Sequence, residues 1–346
     1  MSISGMMLIH SRLPVPASLE HVACALCDRD EPEVLLEHDS FGFPIGLVEC
    51  RACGFVYATP RPSEAFMQRF YRDRYRLFYE GQRRITDAYI RRRRWDEAAA
   101  ARVRRYSALV PPQGRVLDIG CGAGMFLDEL RRARPDIEAT GIEPNRMQAD
   151  YARDELRLDV RPEMFQDFDA NAPYDLVVAF HIVEHVHHLE TFFGFLRGVV
   201  RDTGHVALET PNLEGPWRGI GMFHIAHLYA FTPATIARAA ARHGFVATSI
   251  TAAGDDWDLL NLRAVLRPRE ACVSVDEPVI GRMPEALRLK CRGVARRRWT
   301  RVLRSWVKLG LRRMGLPAAV GAVSLPLLAW AHRRELRAPT SRARRR

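Results

Sequence analysis

Residues 116–127 read VLDIGCGAGMFL. Val116 to Ile119 has the length and apolar content of a buried strand. It breaks at Gly120, Gly122 and Gly124, three glycines at alternate positions. The pattern over Phe126–Arg132 then predicts a helix. A glycine-rich turn from strand into helix lets a ligand approach the backbone, because glycine has no side chain to block it and accepts positive φ. The dinucleotide fingerprint G-x-G-x-x-G needs a glycine at 125, where Met125 stands. The lysine and Ser/Thr of a phosphate-cradling loop are also missing, so a pyrophosphate is not the favoured guest.

Two carboxylates describe the guest more closely. Asp118, beside the first glycine, would repel a phosphate and attract a cationic amine. Glu143, nineteen residues after Gly124, closes the second expected strand. It can accept hydrogen bonds from both hydroxyls of a ribose. A ligand with a ribose and a positive amino-acid-like end fits both, and S-adenosylmethionine is such a ligand.

Outward from the turn the chain alternates. Strands are expected at Ala139–Ile142, Leu158–Arg161, Asp175–Phe180 and His205–Glu209, and a final hairpin at Phe245–Thr251 and Leu259–Leu266. Helices are expected at Met147–Glu155, Leu189–Val200 and from Thr232 to His243, the last with Thr232 as cap, Pro233 at its first position and Gly244 as stop. Asp175–Phe180 is nearly all apolar, as in a strand buried on both faces. The order predicts an α/β fold with a doubly wound, mostly parallel seven-stranded sheet.

VLDIGCGAGMFL, GIEP at 141–144, YDLVVAF at 174–180 and ALETPN at 207–212 resemble, in order, the motifs of Rossmann-like S-adenosylmethionine-dependent methyltransferases over residues 113–267. The resemblance implies that Gly120, Gly122 and Gly124 lie against the cofactor. It implies Glu143 on the ribose with Pro144 beside it, Asp118 near the methionine end, Glu163 or Met164 at the adenine, and Phe180 on the same wall. It also implies methyl transfer by direct displacement. In HIVEHVHH, residues 181–188, the pair Glu184-His185 then follows strand four, where the methyl is presented. His185 can accept the proton that an acceptor gives up; the alternative is that it organises the loop by hydrogen bonds. His187 and His188 are expected at the surface, and no carboxylate spacing supports metal binding by this histidine run.

Cys24-Ala-Leu-Cys27 and Cys50-Arg-Ala-Cys53 are separated by 22 residues. Each turn offers two thiolates to one tetrahedral ion, so the pairs predict a closed, structural zinc site. Short alternating segments between them suggest a zinc-ribbon domain over residues 1–62, with residues 1 to about 20 loose. A helical connector follows over 63–112, capped by Ser63. Its aromatics, Phe66, Phe70, Tyr71, Tyr75, Phe78 and Tyr79, read as core, or as a source of one tyrosine reaching over the site. Arg91 to Arg94 read as a solvated turn.

The phrase from Cys50 to Ser63 is similar to the N-terminal part of sugar C-methyltransferases acting on nucleotide-linked deoxysugars. That group carries an H-E-H-x-x-Y segment after the last core motif. His227 matches it, whereas Ala226 and Ala230 depart from it. The group's large third domain is not expected either. The resemblance therefore implies a related front half with a different acceptor, which His227 is placed to touch.

Net charge is +11 over 346 residues, but it is uneven. Residues 268–346 hold 20 Lys+Arg against 5 Asp+Glu, leaving 32 against 36 elsewhere. Only Lys290 and Lys308 are lysines, a bias that fits a GC-rich genome more than arginine chemistry. Residues 285–313 carry Trp299, Val302, Leu303, Trp306 and Leu309 at helical spacing, and 314–331 are uncharged. This basic amphipathic extension is expected to touch a membrane surface or pack on protein. No signal-peptide pattern opens the chain, so a cytoplasmic protein is expected, with membrane association on the cytoplasmic face through the tail. The expected partner is a small-molecule acceptor: a sugar, lipid-linked glycan or secondary metabolite. An RNA methyltransferase using ribbon and tail to hold phosphates is the alternative, though the slightly acidic body speaks against nucleic acid. A non-catalytic adaptor is a third reading.

Overall fold

The structure is a computed structural model that describes residues 19–41, 43–75, 84–215, 222–252 and 260–269, with positions 285 and 288. Residues 1–18, Phe78, Tyr79 and the expected apolar stretch 314–331 lie outside the described residues, as does nearly all of the basic extension.

The N-terminal part is made of β1 (Leu19–Glu20), β2 (Pro32–Leu36), β3 (Leu47–Cys50), β4 (Val56–Ala58) and β5 (Arg61–Pro62). The connector is less continuous than its periodicity predicts. Three helices, α1 (Glu64–Asp73), α2 (Asp87–Arg93) and α3 (Trp95–Tyr106), divide it. Arg94, at φ 55°, turns the chain between α2 and α3. Side-chain periodicity survives such a break, because it records only which face is buried.

The remaining elements are β6 (Arg115–Ile119), α4 (Met125–Ala133), β7 (Glu138–Ile142), α5 (Arg146–Asp150), β8 (Asp159–Arg161), β9 (Tyr174–Phe180), α6 (Leu189–Val199), β10 (Val200–Pro211), β11 (Tyr229–Ala230), α7 (Pro233–Arg242), β12 (Phe245–Thr251) and β13 (Asn261–Pro268). The expected helix to Glu155 closes α5 early and continues as a wider turn over Tyr151–Glu155. Thr232 caps α7 through Thr235, as its sequence signature predicts.

Among the described residues, seven strands form one sheet in the order β12-β13-β10-β9-β6-β7-β8. Six run in the same direction, and β13 alone runs antiparallel, between β10 and β12. The chain starts in the middle at β6, moves outward to β8, then returns to β9 beside β6. That reversal opens a crevice at the C-terminal ends of β6 and β9, where open α/β sheets bind ligands. Both faces are covered. Leu117, Ile119, Val177, Ala179, Val206 and Leu208 pack in one apolar core, while Val116, Leu176, Val178, Phe180 and Ala207 pack in the other. Strict alternation along strands that are apolar on both faces accounts for the uninterrupted hydrophobic run of β9.

The N-terminal strands are not separate from this body. β11 pairs antiparallel with β4 and completes a four-stranded sheet β11-β4-β3-β2. Cys24, Cys50, Cys53, Phe55 and Tyr57 belong to the same apolar core as Val177 and Phe192.

Candidate active site and cysteine cluster

A cavity of about 650 Å³ lies over the crevice. Asp118, Gly120, Gly122, Glu143, Pro144, Met164 and Phe180 line it, with Glu163 beside Met164. Gly124 stands behind the wall as the N-cap of α4, at φ 80°. A Cβ on Gly122 would meet Oε1 of the fully buried Gln148 at 2.8 Å. The turn is thus packed from beneath as well as kept low for a ligand.

Glu143 sits at the tip of β7, largely buried, with Oε2 accepting from the Gly122 N–H at 2.9 Å and Oε1 from the Asn145 N–H at 2.8 Å. Two backbone donors fix its orientation toward the loop. Asp118 is 2% exposed, and burial pushes its carboxyl up to about 7 although Arg102 opposes the shift. A buried acid next to an open cavity is poised to receive a cation.

Arg102 was not singled out by its sequence. It lines the cavity, stacks 4.2 Å over Phe180 and donates to Glu209 at 2.8 Å. Arg105 and Tyr106 donate to the other oxygen of Glu209. Burial would raise Glu209, yet Arg102 and its neighbours hold it below the usual carboxylate range. An arginine on α3 is hard to recognise in a chain whose cations are nearly all arginine.

Tyr71 of α1 and Tyr75 just after it also line the cavity, with His181 and His185. Of Phe66, Phe70, Tyr71 and Tyr75, the two tyrosines are the ones that line the cavity. The Tyr71 hydroxyl donates to the Ala226 carbonyl at 3.0 Å and lies 3.0 Å from His185 Nδ1. His181 has φ 58° and its N–H donates to the Glu209 carbonyl at 2.7 Å, which turns the loop away from β9. Glu184 is buried behind His185, and the rings of His185 and His227 meet at 4.7 Å. The fold thus brings Glu184, His185 and His227 together. His224 joins them, 3.9 Å from His227 between ring centres, and burial lowers it to about 3.

One expectation fails. His187 is buried, not at the surface, because its Nε2 pairs with Glu20 Oε1 at 2.7 Å from β1. A strand 167 residues away in sequence covers it, which no local pattern reveals. His188 remains half exposed.

The four cysteines converge. Cys24 and Cys53 sulfurs are 3.5 Å apart, as are those of Cys27 and Cys50. Donors at 2.3 Å around a tetrahedral ion stand about 3.8 Å apart, so the spacing fits zinc. The two turns match each other: Asp28 N–H donates to the Cys24 carbonyl and Gly54 N–H to the Cys50 carbonyl, both at 2.8 Å. Asp28 and Gly54 both take positive φ, 57° and 75°. The hydrogen bond between Cys24 and Cys53 pulls Cys53 down to about 5 and, with burial, pushes Cys24 up. Sulfurs so close cannot all ionise unless a cation joins them.

A seven-stranded sheet with this strand order and a crevice of this composition defines a nucleoside-binding α/β domain. Residues 89–250 match the family described as a methyltransferase domain. A ubiquinone biosynthesis O-methyltransferase of Rhodopseudomonas palustris (strain BisB5) is 30% identical over 113 residues, covering 31% of this chain and 43% of that one. A protein of the same description from Nitrobacter winogradskyi is 26% identical over 169 residues, covering 42% and 63%. The chain therefore spans less than two thirds of either relative. Among solved structures, the magnesium protoporphyrin IX methyltransferase of Synechocystis PCC 6803 is similar at TM-score 0.43 and 14% identity, covering 60% of this chain and 100% of that one.

Proposed function

We propose that the protein transfers a methyl group from S-adenosylmethionine to a small-molecule acceptor by direct displacement, the acceptor being a sugar, lipid-linked glycan or secondary metabolite. The observation that carries this reading is the lining of the cavity. Two acids, Asp118 and Glu143, face the same space as the side chains of Tyr71, Tyr75, His181 and His185. When bound, the cofactor supplies an electrophilic methyl on a sulfonium. Asp118 receives its ammonium, Glu143 its ribose hydroxyls, and Met164 and Pro144 flank its adenine. Phe180 and Arg102 share the lining. Proximity and orientation of two bound reactants then supply most of the rate.

The acceptor end supplies the rest. Glu184, His185 and His227 together make the acceptor nucleophilic, and Tyr71 holds His185 in place. Relatives named for O-methylation in ubiquinone biosynthesis favour an oxygen nucleophile on a small molecule. Ala226 meets this cluster through its backbone, the carbonyl toward His185 and the N–H toward His224, and brings no carboxylate, in keeping with an acceptor unlike that of the nucleotide-sugar C-methyltransferases. We further infer that Cys24, Cys27, Cys50 and Cys53 hold a structural zinc. Their four donors leave it no open position.

Calorimetry with S-adenosylhomocysteine tests the cofactor, and transfer of labelled methyl to a panel of hydroxylated small molecules tests the reaction. Micromolar binding and labelled product are expected. Tight NADH binding with indifference to S-adenosylhomocysteine would overturn the reading.

A further inference from the structure

Glu184 is 1% exposed, and neither carboxylate oxygen has a hydrogen-bond partner among the described residues. An ionised carboxylate so deeply buried is expensive unless cationic groups stand beside it, and the His181 contact supplies at most one. The groups around Oε1 are ring nitrogens: His181 Nδ1 at 3.3 Å and His185 Nε2 at 3.9 Å. One donor atom each from Glu184, His185 and His227 lies within 4.8 Å of the other two. Donors 2.1 Å from a shared tetrahedral ion would stand about 3.4 Å apart, so side-chain movements of about 1 Å close the set.

His185 is prepared from behind. His185 Nδ1 lies 2.8 Å from the Ala226 carbonyl oxygen, which can only accept. Nδ1 therefore carries the ring proton and Nε2 the lone pair that faces Glu184. Metal-binding histidines characteristically donate their second N–H to a carbonyl or carboxylate, which fixes tautomer and orientation. Tyr71 adds a donor to the same Ala226 oxygen.

We propose that Glu184, His185 and His227 bind a divalent transition-metal cation at the acceptor end of the cavity, and that the acceptor joins it through an ionisable oxygen. Two imidazoles and one carboxylate suit zinc, cobalt or iron and leave positions open, unlike the four-sulfur set. The acceptor O–H bond breaks and its proton passes to solvent. The oxygen then bonds the methyl carbon as that carbon's bond to sulfur breaks, with the electron pair staying on sulfur. No oxidant is needed. The role of the cation in transfer rests on the methyltransferase reading; the binding site does not.

The test is Co²⁺ titration of the full chain with its zinc retained, read by visible ligand-field absorption and by metal analysis after gel filtration. One cobalt per chain is expected beyond the zinc. His227→Gln and Glu184→Gln should each weaken it at least tenfold, with far-UV circular dichroism checking that they fold. His188→Ala should bind as wild type. Added catechol should shift the cobalt band through an open position. No cobalt beyond zinc in folded wild type overturns the site, and so does equal cobalt in folded His227→Gln. An unshifted band with catechol overturns the open position. S-adenosylhomocysteine calorimetry on the same samples separates the two readings: cofactor binding without cobalt sinks only the cation, and cobalt without cofactor binding sinks only the methyltransferase.

Discussion

The two clusters of metal-capable side chains are built in opposite ways. Cys24, Cys27, Cys50 and Cys53 come from two turns, each closed within five residues by its own backbone hydrogen bond. Glu184, His185 and His227 meet only because the loop after β9 lies against the segment entering β11, where Leu228 N–H donates to the Glu184 carbonyl at 2.8 Å. The first cluster is sealed in a core shared with the main sheet. The second borders the cavity through His185. A locally assembled, closed set suits holding the fold; a set assembled by tertiary structure next to open space suits chemistry.

The largest effect should come from the closed set. Cys50→Ser removes one of four sulfurs and leaves the rest buried without a complete site. Zinc content should fall to near zero and cooperative unfolding should be lost at 37 °C, because the binding energy of a structural zinc is folding energy. Metal analysis and a thermal melt by circular dichroism measure this. A variant that melts like wild type would show that the sheet body does not depend on the cysteines, and the contrast between the clusters would dissolve.

Next is Asp118, which separates an acid kept for a ligand from one kept for the fold. Its carboxyl rises from 3.8 to about 7 on folding because it is buried. The raised value means its favourable contribution is complete below about pH 3.8 and is lost as pH climbs through 7. Wild type should therefore lose stability across that window by up to about 4 kcal/mol, at 1.36 kcal/mol per pKa unit. Asp118→Asn should flatten the loss. The same change should weaken S-adenosylhomocysteine binding, since the ammonium loses its counter-charge. Chemical denaturation at pH 4, 5.5, 7 and 8 distinguishes the two profiles.

Sequence carries this molecule unevenly, for physical reasons. Strands buried on both faces, a positive-φ glycine turn and paired C-x-x-C turns are local, so each is written in a dozen residues or fewer. Asp118 and Glu143 were legible as cavity residues because they sit at fixed distances from that turn. The acceptor end was only half legible. His185 is visible beside β9, but its contacts with Tyr71 and His227 span 114 and 42 residues. Burial of His187 under Glu20 and the role of Arg102 against Glu209 are contacts of the same long-range kind.

Glu143 sharpens the comparison within the cavity itself. Its two backbone hydrogen bonds tie it to the glycine turn, and the ribose would compete for the same oxygens. Glu143→Ala should cost at least tenfold in S-adenosylhomocysteine affinity, about 1.4 kcal/mol or more. Glu143→Gln keeps one acceptor and should lose less. Equal affinities by calorimetry would remove the ribose assignment while leaving the acceptor end untouched.

The smallest effect should come from Tyr71→Phe, and its sign is informative because the hydroxyl touches no cofactor-binding group. Removing it deletes one donor to the Ala226 carbonyl, but His185 Nδ1 still donates there at 2.8 Å. No buried acceptor is orphaned, so the stability cost should be about 1 kcal/mol or less. The ring keeps its edge-on contact with His185, 5.7 Å between centres, so packing is preserved. What changes is how firmly His185 is aimed. Turnover should fall several-fold while S-adenosylhomocysteine affinity stays within a factor of two. A fall in cofactor affinity instead would mean that Tyr71 serves the glycine turn, and that the proposed division of the cavity between cofactor and acceptor is wrong.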